Sequence, residues 1–197
     1  MAGLAAIISR ILQISGWIAA AYAALHVSFW AYDIRLYAIK EYGPVIHEFD
    51  PWFNFRATQY LAENGWRAFF HWFDHMSWYP LGRPVATTIY PGMQLVSVAI
   101  WHSLSYLGFG WTLNDVCAYV PAWFGSVATV FTMLLTYEGS GSCASAVAAA
   151  AFMAILPAHA RRSVGGGFDN ESVAIPAICV TFYFWCRCLR SEHSWPI

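Results

Sequence analysis

Charged residues divide this chain into a few long apolar stretches. No charge occurs between Arg10 and Asp33, between Asp115 and Glu138, or between Glu138 and Arg161. A helix needs roughly 20 apolar residues to cross the hydrocarbon of a bilayer, and each of these intervals supplies them. A fourth, residues 172–186, is shorter, but Arg187 can snorkel outward and extend it. The pattern predicts spans at about 11–32, 118–137, 143–160 and 172–189. The first is too long for the apolar core of a signal peptide and no small-residue cleavage site follows it, so it is read as a retained span. Residues 84–114 are also uncharged, but Pro84, Pro91, Gln94, His102, Gly108 and Gly110 interrupt them. Met93, Val96, Ile100 and Leu104 recur there at helical spacing. Hydropathy alone leaves a fifth span and an interfacial helix both open.

The remaining segments have distinct characters. From Asp33 to about Arg83 runs a polar and aromatic loop too long for a connector. Residues 138–142 (EGSGS) form a tight turn, residues 161–171 (RRSVGGGFDNE) a short Gly-rich loop, and the Ala-rich residues 144–154 read as close helix packing.

Composition agrees with a membrane protein: 59% of the 197 residues are hydrophobic and 11% charged, where a soluble domain carries about a quarter charged. Aromatics at 18% suit lipid interfaces. Ten basic residues against eleven acids give a net charge of −1, which excludes a basic nucleic-acid footprint. The five cysteines, at 117, 143, 179, 186 and 188, show neither disulfide nor zinc spacing and read as buried thiols. His26 and His159 fall inside apolar spans, where neighbouring helices satisfy them, and neither is read as a ligand.

With charges so few, two acidic clusters stand out: His47-Glu48-Phe49-Asp50 and Asp169-Asn170-Glu171, the latter preceded by Gly165, Gly166 and Gly167. Carboxylates at i and i+2 can converge on a hard cation such as Mg²⁺ or Mn²⁺. They can equally sit at a helix N-terminus, where the dipole favours acids. Arg161 and Arg162 face the same acids; they read either as membrane-flanking anchors or as forks that hold phosphate or carboxylate. Trp78-Tyr79-Pro80 and residues 89–92 (IYPG) read as aromatic packing and turn chemistry.

Residues 47–56 (HEFDPWFNFR), 72–83 (WFDHMSWYPLGR), 88–92 (TIYPG) and 162–171 (RSVGGGFDNE), in this order, resemble the catalytic subunit of oligosaccharyltransferase in its eukaryotic form. The resemblance implies an all-α polytopic membrane protein of the GT-C class, with a large first luminal loop (33–117) containing amphipathic helices and a second luminal loop at 161–171. It implies that Asp50, Asp169 and Glu171 ligate Mn²⁺ or Mg²⁺, that Asp50 also contacts the acceptor asparagine, and that Arg162 is needed for activity. It further implies a dolichyl pyrophosphate-linked oligosaccharide as donor, a polypeptide with Asn-x-Ser/Thr as acceptor, membrane lipid and other subunits of the enzyme as partners, and the endoplasmic reticulum membrane as location. The family's later acceptor-binding loop, further spans and C-terminal luminal domain have no counterpart here. The chain is therefore expected to be an N-terminal portion, inactive alone.

Two alternatives are weighed against it. A dolichyl-phosphate mannosyltransferase also carries acids in its first luminal loop, but the Ser-Val-Gly lead-in to a second acidic motif argues against one. A non-catalytic scaffold explains the spans but not the gathering of rare charges at their edges. Asp50 and Asp169 can meet only if an even number of spans separates them. Residues 84–114 are therefore expected to stay luminal as an interfacial or protein-packed helix, with both chain ends cytosolic.

Overall fold

The computed structural model describes residues 2–190. Its helices are α1 (Ala2–Arg35), α2 (Tyr37–Tyr42), α3 (Phe49–Phe69), α4 (Val85–Thr88), α5 (Gly92–Tyr106), α6 (Leu113–Ser140), α7 (Cys143–Ile155), α8 (Pro157–Ala160) and α9 (Glu171–Arg190). Two strands, β1 (Phe73–Asp74) and β2 (Arg83–Pro84), pair antiparallel between α3 and α4, and a 3₁₀ turn (Arg161–Ser163) follows α8.

Among the described residues, three helices are long and apolar enough to cross a membrane: α1 from Gln13 to Arg35, α6 and α9. They make this a helical membrane protein. Ile11, Ile18, Leu25 and Phe29 point outward from α1, and Phe182, Trp185 and Leu189 from α9. Apolar faces of this extent are what a lipid-covered helix presents.

The expected uninterrupted helix over 143–160 is broken. α7 ends at Ile155, and the chain bends by 54° into Pro157–Ser163. Leu156 is extended, with φ −59° and ψ 117°, and Pro157 opens α8, where its missing N–H costs nothing. Thirteen residues rise only about 20 Å, so α7 reaches across a bilayer only together with its bent continuation. Ala146, Ala150 and Ala154, four apart, are buried and let α7 lie close to its neighbours. The apolar stretch 84–114 also resolves into pieces. α5 has fifteen residues and rises about 22 Å, short of a span. It packs along α3 and α6 and buries Met93, Gln94 and Ser97.

α6 starts on a capping box in which the Thr112 hydroxyl accepts from the Asp115 amide (3.1 Å) and Asp115 accepts from the Thr112 amide (3.0 Å). It ends at Gly141 in the left-handed conformation, and Ser142 then caps α7. Cross-bundle contacts fix the directions. Arg35 meets the Ala154 carbonyl, Trp17 meets Tyr137, and Arg190 meets Glu138. Hence α1 and α7 run one way while α6 and α9 run the other. Glu138 closes one end of the bundle with Arg187 (3.9 Å) and Arg190 (3.7 Å). The starts of α3 and α9 lie at the other end, over a core of Ile46, Met93, Val116, Val120, Phe168 and Val173.

The cysteine reading holds only at Cys117, which is fully buried; Cys188 is exposed and the other three are half-buried. Cys179 still touches Thr132 of α6 (3.7 Å) and Cys143 lines a cleft against α1, so apolar surroundings alone do not tell a half-covered thiol from one in the core. His26 stacks between Tyr22 and Trp30 of its own helix, and His159 is buried, its carbonyl accepting the Ser163 hydroxyl.

Candidate active site

α3 carries the first acidic motif. Pro51, Asn54, Ala57, Thr58 and Leu61 are buried along one stripe, which leaves Asp50 on the exposed side of the first turn. The residue before the helix, Glu48, has φ +71° and ψ 167°. Side chains rarely adopt this conformation, at a cost of about 1–3 kcal/mol, and it persists where the surroundings enforce it. Here the enforcing contact is made by His47, whose amide donates to the Gly166 carbonyl (3.2 Å) and whose Nε2 lies 3.2 Å from the Gly165 carbonyl.

That contact explains the glycines of the second motif. Gly166 has φ +84°, and a Cβ there would lie 2.3 Å from the Val45 carbonyl oxygen. Its amide donates to the Ala118 carbonyl of α6 (2.8 Å) and the Gly165 amide to the Arg35 carbonyl (2.7 Å). The loop is thus threaded between α1, α6 and residues 45–47, and only a chain without side chains passes. From underneath, the Arg35 guanidinium, 1% exposed, donates to Ser163 (2.8 Å) and to the Ala154 carbonyl (3.0 Å). Gly125 of α6 makes room for it: a Cβ there would be 2.2 Å from Arg35 Nε.

These constraints bring together what the sequence separates. Asp50, Tyr90, Arg162, Asp169, Asn170 and Glu171 line one cleft of about 650 Å³. A smaller cleft of about 210 Å³ shares Asp50, Tyr90, Asp169 and Asn170 and adds Asn54, Arg83 and Thr88. Arg162 NH1 stands 3.3 Å from Asp169 Oδ2 and 3.6 Å from Glu171 Oε1. Arg162 therefore faces the acids as expected. Arg161 faces away from Asp50, Asp169 and Glu171: it lines another cleft with Asp33, Lys40 and, from the first motif, Glu48, because neighbouring residues of a 3₁₀ turn point apart. Glu171 also opens α9, so the helix-terminus reading of this acid holds as well.

The donors around this cleft are hard oxygens, the kind Mg²⁺ and Mn²⁺ prefer. The Asn170 side-chain oxygen is buried without a partner among the described residues, which suits a further ligand. The carboxylates do not converge on one cation-sized point: no group of three His, Cys, Asp or Glu among the described residues does so. The Arg162 cation instead stands between Asp169 and Glu171.

Several residues at the site have no signal in charge or spacing. Arg83 lies between the rings of Phe53 (4.0 Å) and Trp78 (4.7 Å) and donates to Thr88 Oγ1 (2.7 Å). Burial lowers its pKa, and the negative field of Asp50 acts against that shift. Tyr90, read as turn packing, is 80% exposed and lines both clefts. Asp74, 1% exposed, takes a two-pronged grip from Arg56 (2.7 and 3.0 Å) and further bonds from Ser77 and the Met76 amide. These bonds, Arg56 foremost, hold its carboxyl far below the usual carboxylate range. They fasten the 72–83 segment beneath Arg83. A partnered acid of this kind would be suggested only by an Arg eighteen residues earlier on a helix of unknown direction.

A family model described as "Oligosaccharyl transferase STT3, N-terminal" matches residues 12–197. The chain is 42% identical over 183 residues to the dolichyl-diphosphooligosaccharide–protein glycosyltransferase subunit STT3A of Oryza sativa subsp. japonica, covering 93% of this chain and 23% of the relative. It is 42% identical over 162 residues to subunit STT3 of Saccharomyces cerevisiae (82% and 22%) and 41% identical over 163 residues to subunit stt-3 of Caenorhabditis elegans (83% and 21%). The chain thus spans less than a quarter of the length of the curated relatives it matches.

Proposed function

The chain belongs to the STT3 family of oligosaccharyl transferases, and from that premise we propose that the whole protein transfers an oligosaccharide from dolichyl pyrophosphate to the asparagine of Asn-x-Ser/Thr in polypeptides. The observation that carries this reading is the shared cleft: the two acidic motifs, with two long helical segments between them in the chain, line one surface at one end of the bundle. The relatives' names favour this over a mannosyltransferase or a scaffold.

An amide nitrogen is a poor nucleophile because its lone pair is delocalised into the carbonyl. Asp50 is exposed at the cleft, and no hydrogen bond is made to its carboxylate among the described residues. It is free to accept the N–H groups of an acceptor amide and hold the nitrogen turned toward the donor carbon. Arg162 orients Asp169 and Glu171 and offsets their mutual repulsion. Asp50, Asp169 and Glu171 would hold Mn²⁺ or Mg²⁺, which would supply electrostatic stabilisation of the departing pyrophosphate charge. The site faces the lumen of the endoplasmic reticulum, where α1, α6, α9 and the α7–α8 pair cross, in a GT-C arrangement with further subunits around it.

The test is sequon occupancy on a secreted reporter in cells that depend on the full-length protein. Asp50→Ala is expected to reduce occupancy to background while membrane abundance stays at the wild-type level, because Asp50 is exposed and its loss opens no cavity. Occupancy falling only in proportion to abundance would make Asp50 structural and overturn its role.

A further inference from the structure

We propose that Asn54 is a positioning residue that fixes which oxygen of Asp169 faces the cleft, and that it thereby sets the cation affinity of the site. The inference rests on the reading that Asp50, Asp169 and Glu171 hold a divalent cation.

Asn54 follows Asp50 by one helical turn, so the two lie on neighbouring positions of α3. Yet it is 2% exposed, in the stripe that packs inward. A buried amide must place both its ends. The Asn54 oxygen accepts from Gln94 Nε2 of α5 at 3.3 Å, and Gln94 is itself fully buried. With the oxygen so taken, the Asn54 NH₂ faces the other way, toward the second acidic motif. There it donates to the Phe168 carbonyl at 3.1 Å and to Asp169 Oδ1 at 3.4 Å.

The consequence falls on Asp169. Its Oδ1 is also bonded by the Asn170 amide at 2.9 Å. Two donors therefore occupy Oδ1, and Oδ2 is left toward Arg162 and the cleft. The bond to the Phe168 carbonyl fixes the backbone from which Asp169 springs, and Phe168 is buried in the core. Asn54 thus ties the helix bearing Asp50 to the loop bearing Asp169 and orients the second acid by its inner oxygen. Partners of this kind behind a ligating carboxylate alter metal affinity by about 10–100-fold when removed. A purely structural tie between α3 and the loop would instead lower stability and leave cation affinity where it was.

The full-length purified enzyme is titrated with Mn²⁺, free ion being read by electron paramagnetic resonance and folding by thermal melting. Asn54→Leu, close in volume but without donors, is expected to weaken Mn²⁺ binding about 10–100-fold. Gln94→Met, which leaves Asn54 in place but frees its oxygen, is expected to weaken it by a smaller factor. Wild-type affinity in a folded Asn54→Leu protein overturns the inference. Should Asn54→Leu fail to fold, unchanged affinity in Gln94→Met overturns it. Asp169→Ala separates the two ideas: if wild-type protein binds no Mn²⁺, or Asp169→Ala binds it equally, the cation reading fails and the inference with it. If Asp169→Ala loses the ion and both amide variants keep it, only the inference fails.

Discussion

Asp74 shows how a single carboxylate can hold a loop without touching the chemistry. It is buried, and its partner Arg56 is half-exposed at 51%. Removing the acid leaves a cation that water can solvate, so Asp74→Ala should cost less than the about 3–5 kcal/mol of a fully buried broken pair. About 2–3 kcal/mol is expected, read as faster hydrogen exchange across residues 70–84. The pH dependence follows from the lowered pKa. Above the ordinary carboxylate value of about 3.9 both states are ionised and the difference between wild type and variant is full and flat. As pH falls below that value the unfolded state takes up the proton first, and the advantage shrinks toward the depressed folded pKa. A difference that grew on acidification would contradict the assignment. Asp50, Arg162, Asp169 and Glu171 could be singled out in the sequence because charges are rare there. Asn54 and Gln94 could not: a neutral amide in an apolar stripe gives no sign of which way it points or what it meets across the fold.

At the scale of elements, the Gly-rich loop is where local conformation governs the site. Three successive glycines signal a constrained passage, but not which chain lies alongside; that Val45 and His47 do so is a tertiary fact. Gly166→Ala is expected to destabilise by more than about 1–2 kcal/mol, the cost of a left-handed L-residue, because the new methyl also meets a backbone oxygen at 2.3 Å. Relief requires the loop to retreat from His47, carrying Asp169 away from Asp50. Sequon occupancy in the full-length variant should therefore fall further than protein abundance; equal falls would show that the loop merely stabilises. The break at Leu156 escapes hydropathy for a related reason. Counting apolar residues measures how long a segment is, not whether its backbone continues. Pro157 marks the boundary, but not the 54° bend that follows, nor the buried Arg35 guanidinium that takes up the Ala154 carbonyl at the end of α7. That Asp50 and Asp169 must share one side of the membrane asks for a helix within 84–114 that does not cross, and α5 has fifteen residues.

For the whole molecule, the opposed directions of α6 and the α7–α8 pair place two ends of the bundle in different surroundings. One end carries the start of α6, where Asn114 donates to the Pro44 carbonyl (2.8 Å), together with both acidic motifs. The other carries the end of α6 and the Glu138 ion pairs with Arg187 and Arg190. If α6 crosses the membrane, Gly110, just before its start, and Ser140, its last residue, lie on opposite sides. The proposed orientation puts Gly110 in the lumen with the acceptor and Ser140 in the cytosol. Arg187 and Arg190 beside Ser140 agree with the excess of basic residues on cytosolic flanks. Arg161 and Arg162, at the end proposed as luminal, run against it, and Arg162 is held there by Asp169 and Glu171 rather than by lipid orientation. Single cysteines at Gly110 and Ser140, in full-length protein with the native thiols replaced, should divide accordingly. In sealed microsomes an impermeant maleimide is expected to label Ser140→Cys at once and Gly110→Cys only after the membrane is opened. Labelling of Gly110→Cys from outside intact vesicles would place the acidic cleft in the cytosol, away from the polypeptides it is proposed to glycosylate.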